Sequence, residues 1–222
     1  LGAVRDSKLQ SRNYAAAIRN PALDLLGAPD ATLGGVTNAQ LLEVLGGQFG
    51  PDGSWGLDTA FALRLVQMGV PAVTVMRYLF DSHSDEKTLF PMDAGDVGRQ
   101  LAGLHFLLHR MTNADGVPLW NKTVVVVVSE FSRDNVEATT GFNSADGSDH
   151  NGSPASRNQC WPIMGGPITA GGKRIGQLDA NTLATVGGPA TSVRSVLSTL
   201  LDVVGIDYTR YWSDAPVAAL FT

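Results

Sequence analysis

The sequence predicts an α/β fold: a layered sandwich of helices about a mostly parallel central sheet. Three observations carry that expectation. Val124 to Val128 is an unbroken run of five valines, and a strand that does not alternate apolar with polar residues reads as buried on both faces, as in the centre of a parallel sheet. Val97, Leu101, Leu104, Leu108 and Met111 recur with the 3.6-residue period of a helix. Helical and strand-like segments alternate beyond about residue 57, the pattern of layered α/β architectures. The 222 residues are read as a single domain, with a helical, loop-rich segment over 1–56 and an α/β core over 57–222.

In chain order, the Ala-rich stretch Ser11 to Arg19 predicts a short helix that ends before Pro21, because a residue preceding proline avoids the α region. Thr37 and Gln40 have the spacing of a capping box ahead of Leu41, Leu42, Val44 and Leu45. They predict a helix from Asn38 to Leu45, stopped by Gly46 and Gly47. Asp58 is read as the N-cap of a helix carrying Phe61, Leu65 and Met68 at helical spacing and closed by Gly69. Val70 to Tyr78 is rich in β-formers and predicts a strand. The long helix is placed over Asp93 to Met111, followed by a turn at Asn113-Ala114-Asp115-Gly116. Thr123 to Phe131 is the central strand, and Trp161 to Met164 a second short one. Thr191 is read as the cap of a last helix, with Val193, Leu197, Leu200, Leu201 and Val204 on one face and Gly205 at its end. Gly165-Gly166 and Gly171-Gly172 match no phosphate-binding loop and read as turns that bring backbones close.

Composition removes several functional classes. Asp and Glu number 21 against 16 Lys and Arg, a formal charge of −5, so the chain lacks the basic excess of a nucleic-acid binder. No window approaches the ~18 apolar residues of a membrane span. Cys160 is the single cysteine, which excludes an intrachain disulfide and a cysteine-built metal cage; it reads as a small core residue. A hydrophobic content of 44 % is enough for a large core.

The chemistry-bearing residues collect after the strands, where open parallel sheets place their ligands. Val70–Tyr78 is followed by Leu79-Phe80-Asp81-Ser82-His83-Ser84-Asp85, and the valine strand by Ser129-Glu130-Phe131-Ser132-Arg133-Asp134. A loop then reaches Asp146-Gly147-Ser148-Asp149-His150. Carboxylates mixed with imidazoles, without soft sulfur donors, suit Zn2+, Mn2+ or Fe. Each segment also has a plainer reading. Asp81 and His83 fit an exposed turn, Asp149 and His150 a solvated loop, and Arg133 a simple ion-pair partner for Glu130. Glu130 is the hardest to dismiss, because a carboxylate after a buried strand must be solvated, paired or metal-bound. His105 and His109, four residues apart on the long helix, read as surface or boundary histidines rather than as ligands.

Taken in order, FDSHSD, VVVVVSEFSR, GSDH and GGPITAGGKRIGQLD resemble the domain-of-unknown-function-1501 family, a sulfatase-like branch of the alkaline phosphatase superfamily. Its members show D-T-H-x-N, V-V-x-x-S-E-F-G-R-T, G-x-D-H and a glycine-rich segment before a C-terminal helix, and the resemblance runs from about Val70 to the C-terminus. It implies an α/β/α sandwich with divalent metal (Zn, Mn or Ca, identity open) at strand ends and hydrolysis of phosphate or sulfate esters. By matching positions, it implies Asp81, His83, Glu130, Asp149 and His150 as metal ligands and Arg133 as the group that meets an anionic ester. It also implies a secreted or periplasmic protein.

The sequence departs from that pattern at Ser82, Asp85, Ser132 and Asp134. Asp134 sets a negative charge beside Arg133, where it would repel an anionic ester. The family's aspartate-bearing first strand and its leader have no counterpart, and Leu1 reads as an internal start. The expectation is therefore the C-terminal portion of a longer precursor, whose N-terminal part, or a companion N-terminal chain, supplies the nucleophile. Two functions stay open: a metal-dependent ester hydrolase, active or degenerate, and a non-catalytic secreted structural or assembly protein that retains the hydrolase fold, with a companion N-terminal chain or a homo-oligomer as its expected partner.

Overall fold

The computed structural model describes residues 32–45, 54–70, 86–128, 161–168, 171–172, 175–178, 185–186 and 191–221. Contacts divide the described chain into two compact units. The first holds residues up to 70 together with Asp96–Leu119; the second holds residues 86–95 and those from Trp120 onward.

The first unit begins with a hairpin. β1 (Thr32–Leu33) pairs antiparallel with β2 (Val36–Thr37), with Leu33 opposite Val36. Its two-residue loop is Gly34-Gly35, with φ of 55° and 86°, the doubly positive loop whose twist suits a hairpin. Gly34 also lies where a Cβ would stand 2.2 Å from both the Gln67 amide nitrogen and the Thr112 carbonyl oxygen.

Thr37 leads straight into α1 (Asn38–Leu45). The expected capping box is present in both directions: Gln40 N–H donates to Thr37 Oγ1 at 3.1 Å, and Thr37 N–H donates to Gln40 Oε1 at 3.0 Å. Asn38, Leu41 and Leu45 form the buried face.

α2 runs over Ser54–Gln67 and differs from its expected form at the start. It begins four residues before Asp58, which is exposed within the helix; the Pro51-Asp52-Gly53 signal upstream is the stronger boundary. Phe61 is 38 % exposed, and the helix turns Thr59, Ala60, Leu63, Arg64 and Gln67 inward. A polar face can be buried where its groups find hydrogen-bond partners, and Arg64 and Gln67 do. The end is as expected: Gly69 N–H donates to Val66 O and Val70 N–H to Leu65 O, the paired bonds that close a helix on a glycine.

α3 (Glu86–Arg110) starts seven residues before the expected Asp93 and runs through Pro91. Proline forfeits one backbone bond there, and 25 residues of otherwise continuous ladder outweigh that loss. Leu107, Leu108 and Met111 are buried and Val97, Leu101 and Leu104 half-buried, so the stripe read from the sequence is the inward one.

The turn at Asn113 to Gly116 is also present. Asn113 Oδ1 accepts from Asp115 N–H at 3.1 Å and Val117 N–H at 2.9 Å, while Asn113 N–H donates to Val117 O. Thr112 locks this turn to the hairpin and α2: its N–H donates to Gly34 O at 3.0 Å, and its carbonyl accepts from Gln67 Nε2 at 2.8 Å.

In the second unit, a 3-10 turn over Leu119–Lys122 precedes β3 (Val125–Val126), which pairs antiparallel with β4 (Ile163–Met164). Val127 N–H extends the pairing to Pro162 O at 2.9 Å. The two-sided burial expected for the valine run is not found: Val124 to Val127 are half-buried and Val128 is 59 % exposed. β-branched residues favour any pleated, half-buried surface, so the run needs no second covering layer. β5 (Gln177–Leu178) pairs antiparallel with β6 (Thr185–Val186). Every named strand pair among the described residues is antiparallel; the expected parallel strands lie outside these pairings. The expected helix over 11–19, the strand over 71–78 and Cys160 lie outside the described residues.

Gly165 and Gly166 follow β4 and bring backbones close, as read. Gly165 has φ 146°, and a Cβ on it would stand 2.1 Å from Thr123 O. Gly166 N–H donates to Trp120 O at 2.9 Å.

α4 (Val193–Val203) is capped by Ser192 rather than Thr191: its side chain accepts from Ser195 N–H at 2.9 Å. Its deepest residues are not the apolar stripe, since Val193 and Val204 are about half exposed, but Ser198 and Thr199, which are fully buried. Their hydroxyls hold the C-terminal segment. Ser198 Oγ donates to Asp214 O at 2.6 Å and accepts from Trp212 Nε1; Thr199 Oγ1 donates to Ser195 O and accepts from Val217 N–H, both at 2.8 Å. Further on, Asp207 caps the 3-10 turn Tyr208–Arg210. Its carboxyl is held below the usual carboxylate range, chiefly by the hydroxyl hydrogen bond from Thr209.

Candidate functional site

Asp81, His83, Glu130, Arg133, Asp149 and His150 all lie outside the described residues. What the structure describes is the framework adjoining two of the three segments. β3 and its extension reach Val128, two residues before Glu130, and a chain of that length places the two Cα atoms at most about 7 Å apart. α3 begins at Glu86, three residues after His83, a tether of at most about 11 Å. The start of α3 and β3 belong to the same compact unit.

Besides the buried hydroxyls of α4, two polar arrangements stand out among the described residues. The first is Arg64, fully buried. Its Nε and Nη2 donate to Asn38 Oδ1 at 2.9 and 2.6 Å, Nη1 to Gln67 Oε1 at 2.9 Å, and Nη2 to Val36 O at 3.0 Å. Burial lowers the guanidinium pKa, yet arginine keeps its charge in proteins. The arrangement ties β2, α1 and α2 together. Its signal in the sequence is one charged residue inside Ala60-Phe61-Ala62-Leu63-Arg64-Leu65-Val66, a pattern that the apolar periodicity passed over. The second is the pair His105 and His109, both exposed on α3, with ring centroids 4.5 Å apart. Among the described residues, no three of His, Cys, Asp or Glu come together, and none of the five expected ligands is included in that set. No described helix is long and apolar enough to cross a membrane.

The family model for proteins of unknown function designated DUF1501 matches residues 15–215. The chain belongs to this family. The match covers the hairpin, the four described α-helices and the segments carrying Asp81, Glu130 and His150, so DUF1501 membership extends upstream of Val70, where the motif resemblance began. Comparison with curated proteins and with solved structures gave no match.

Proposed function

We propose that this DUF1501 chain is a metal-dependent phosphate- or sulfate-ester hydrolase-like protein, built on the α/β/α sandwich of the alkaline phosphatase superfamily and exported to the periplasm or beyond. The observation that carries the reading is the order of four segments, FDSHSD, VVVVVSEFSR, GSDH and GGPITAGGKRIGQLD. Each of the first three delivers oxygen or imidazole donors.

The donor set fits a divalent metal. Asp81, Glu130 and Asp149 offer carboxylates, and His83 and His150 offer imidazoles; this mixture suits Zn2+ or Mn2+ better than Ca2+, which takes oxygen ligands. A metal bound there supplies Lewis acidity at the phosphoryl or sulfuryl oxygen. Arg133 would meet the anionic ester with its planar fork of donors, and the carboxylate of Asp134 beside it would oppose that pairing. The nucleophile is not among these residues.

One observation favours a second reading, a non-catalytic structural or assembly protein: Asp134 stands where the family pattern has threonine. Assay of aryl phosphates and aryl sulfates with Zn2+ or Mn2+ separates the two. On the hydrolase reading, one ester class is turned over and Glu130→Gln lowers kcat/KM by about a hundredfold. Turnover of neither class, with either metal, would favour the second reading.

A further inference from the structure

α3 carries a second, separate arrangement of metal-ligating groups. His105 and His109 are four residues apart, so they lie one above the other on a single helix face. Both are exposed, and their ring centroids stand 4.5 Å apart at an interplanar angle of 61°. A shared ion with its two ligands at about a right angle fits that separation. With metal–nitrogen distances of about 2.0–2.1 Å, each ring centroid sits roughly 3 Å from the metal, and two ligands at about a right angle have centroids about 4.5 Å apart.

The surroundings agree. His109 lies in the last turn of α3, where the negative pole of the helix favours a cation. Arg110, next to His109 in the chain, is placed over the Phe106 ring at 5.3 Å, on the neighbouring row of the helix. One turn before His105 the same face carries Ala102, and before it Gly98, both exposed, which leaves room for the water ligands of a bound ion. Each imidazole has two nitrogens, and a ring that donates through one can coordinate through the other; such an outer partner orients the ligand.

We infer that His105 and His109 together chelate one divalent transition-metal ion of the imidazole-preferring class, Cu(II) ahead of Ni(II) and Zn(II), with water or a partner's group completing its coordination. The order of affinity follows the general ranking for nitrogen sites. Mg2+ and Ca2+, which take oxygen ligands, do not bind there. This site is distinct in sequence from the one proposed above and does not depend on it.

The test is titration of the metal-stripped full chain with Cu(II) and with Ni(II), by calorimetry and, for Cu(II), electron paramagnetic resonance. Wild type is compared with His105→Gln, with His109→Gln and with a variant in which His83 and His150 are both alanine. The expected result is a site that persists in the His83/His150 variant and is weakened by about tenfold or more in either glutamine variant alone, with a two-nitrogen spectrum lost in both. Circular dichroism checks that the glutamine variants keep their helix content. Binding that is unchanged in the glutamine variants, that halves in stoichiometry in each, or that vanishes in the His83/His150 variant would overturn the inference.

Discussion

Replacing Arg64 with alanine is expected to destabilise the protein by about 3–5 kcal/mol, read as a fall in the urea midpoint at unchanged slope. The magnitude has two sources. The side chain is fully buried, so its removal leaves a cavity. Its four donor contacts also satisfy Asn38 Oδ1, Gln67 Oε1 and Val36 O, and a buried acceptor that loses its partner costs about 1–3 kcal/mol. The loss should spread beyond Arg64, because Gln67 also holds the Thr112 carbonyl at the end of α3. Arg64→Lys keeps the charge but not the planar fork, and should fall between wild type and alanine. A loss below about 1 kcal/mol for the alanine variant would mean that this network is not what joins β2, α1 and α2.

The second large effect is expected at Gly165. Alanine there is opposed twice: φ is 146°, and the added Cβ would stand 2.1 Å from Thr123 O and 3.0 Å from the Val124 Cα. Both obstacles are backbone, so neither yields by a rotamer change, and the expected cost is about 2–4 kcal/mol. Relief would come by shifting β4 against β3, and a one-residue slip turns each side chain to the opposite face. If Glu130 is a metal ligand, as proposed above, loss of stability and loss of bound metal should appear together. Gly171 is the matched control: nothing lies within 4 Å of its Cβ position, and alanine there should change stability by less than about 0.5 kcal/mol. Equal effects at the two positions would contradict the close approach seen at Gly165.

What the sequence made legible was local. The box of Thr37 and Gln40 was readable because both partners lie within one turn, and the stops at Gly69 and Gly205 were readable for the same reason. The inner faces of α2 and α4 were not. Arg64 is turned inward by Asn38, 26 residues away, and Ser198 and Thr199 by Asp214 and Val217, 16 and 18 residues away. Apolar periodicity carries no record of such partners. The valine run was ambiguous in a different way, since β-branching suits both a central parallel strand and the half-buried antiparallel pairing that Val125 and Val126 make. The start of α3 lay outside the apolar stripe read from the sequence, which begins at Val97, and the helix runs through Pro91 before it. The candidate metal ligands were legible only as short motifs in order, because the coordination proposed for them would draw on three segments far apart in the chain.

The proposed metal centre is tested most directly by the metal content of the purified protein, measured by elemental analysis on wild type and on the variant with alanine at both His83 and His150. Removing both imidazoles takes away two of the five proposed donors and every nitrogen ligand of the set. The expected result is tightly held Zn or Mn in wild type and none above background at that site in the variant. An unchanged metal content in the variant, or a wild-type chain that takes up neither metal, would contradict the assignment of Asp81, His83, Glu130, Asp149 and His150 as a metal centre.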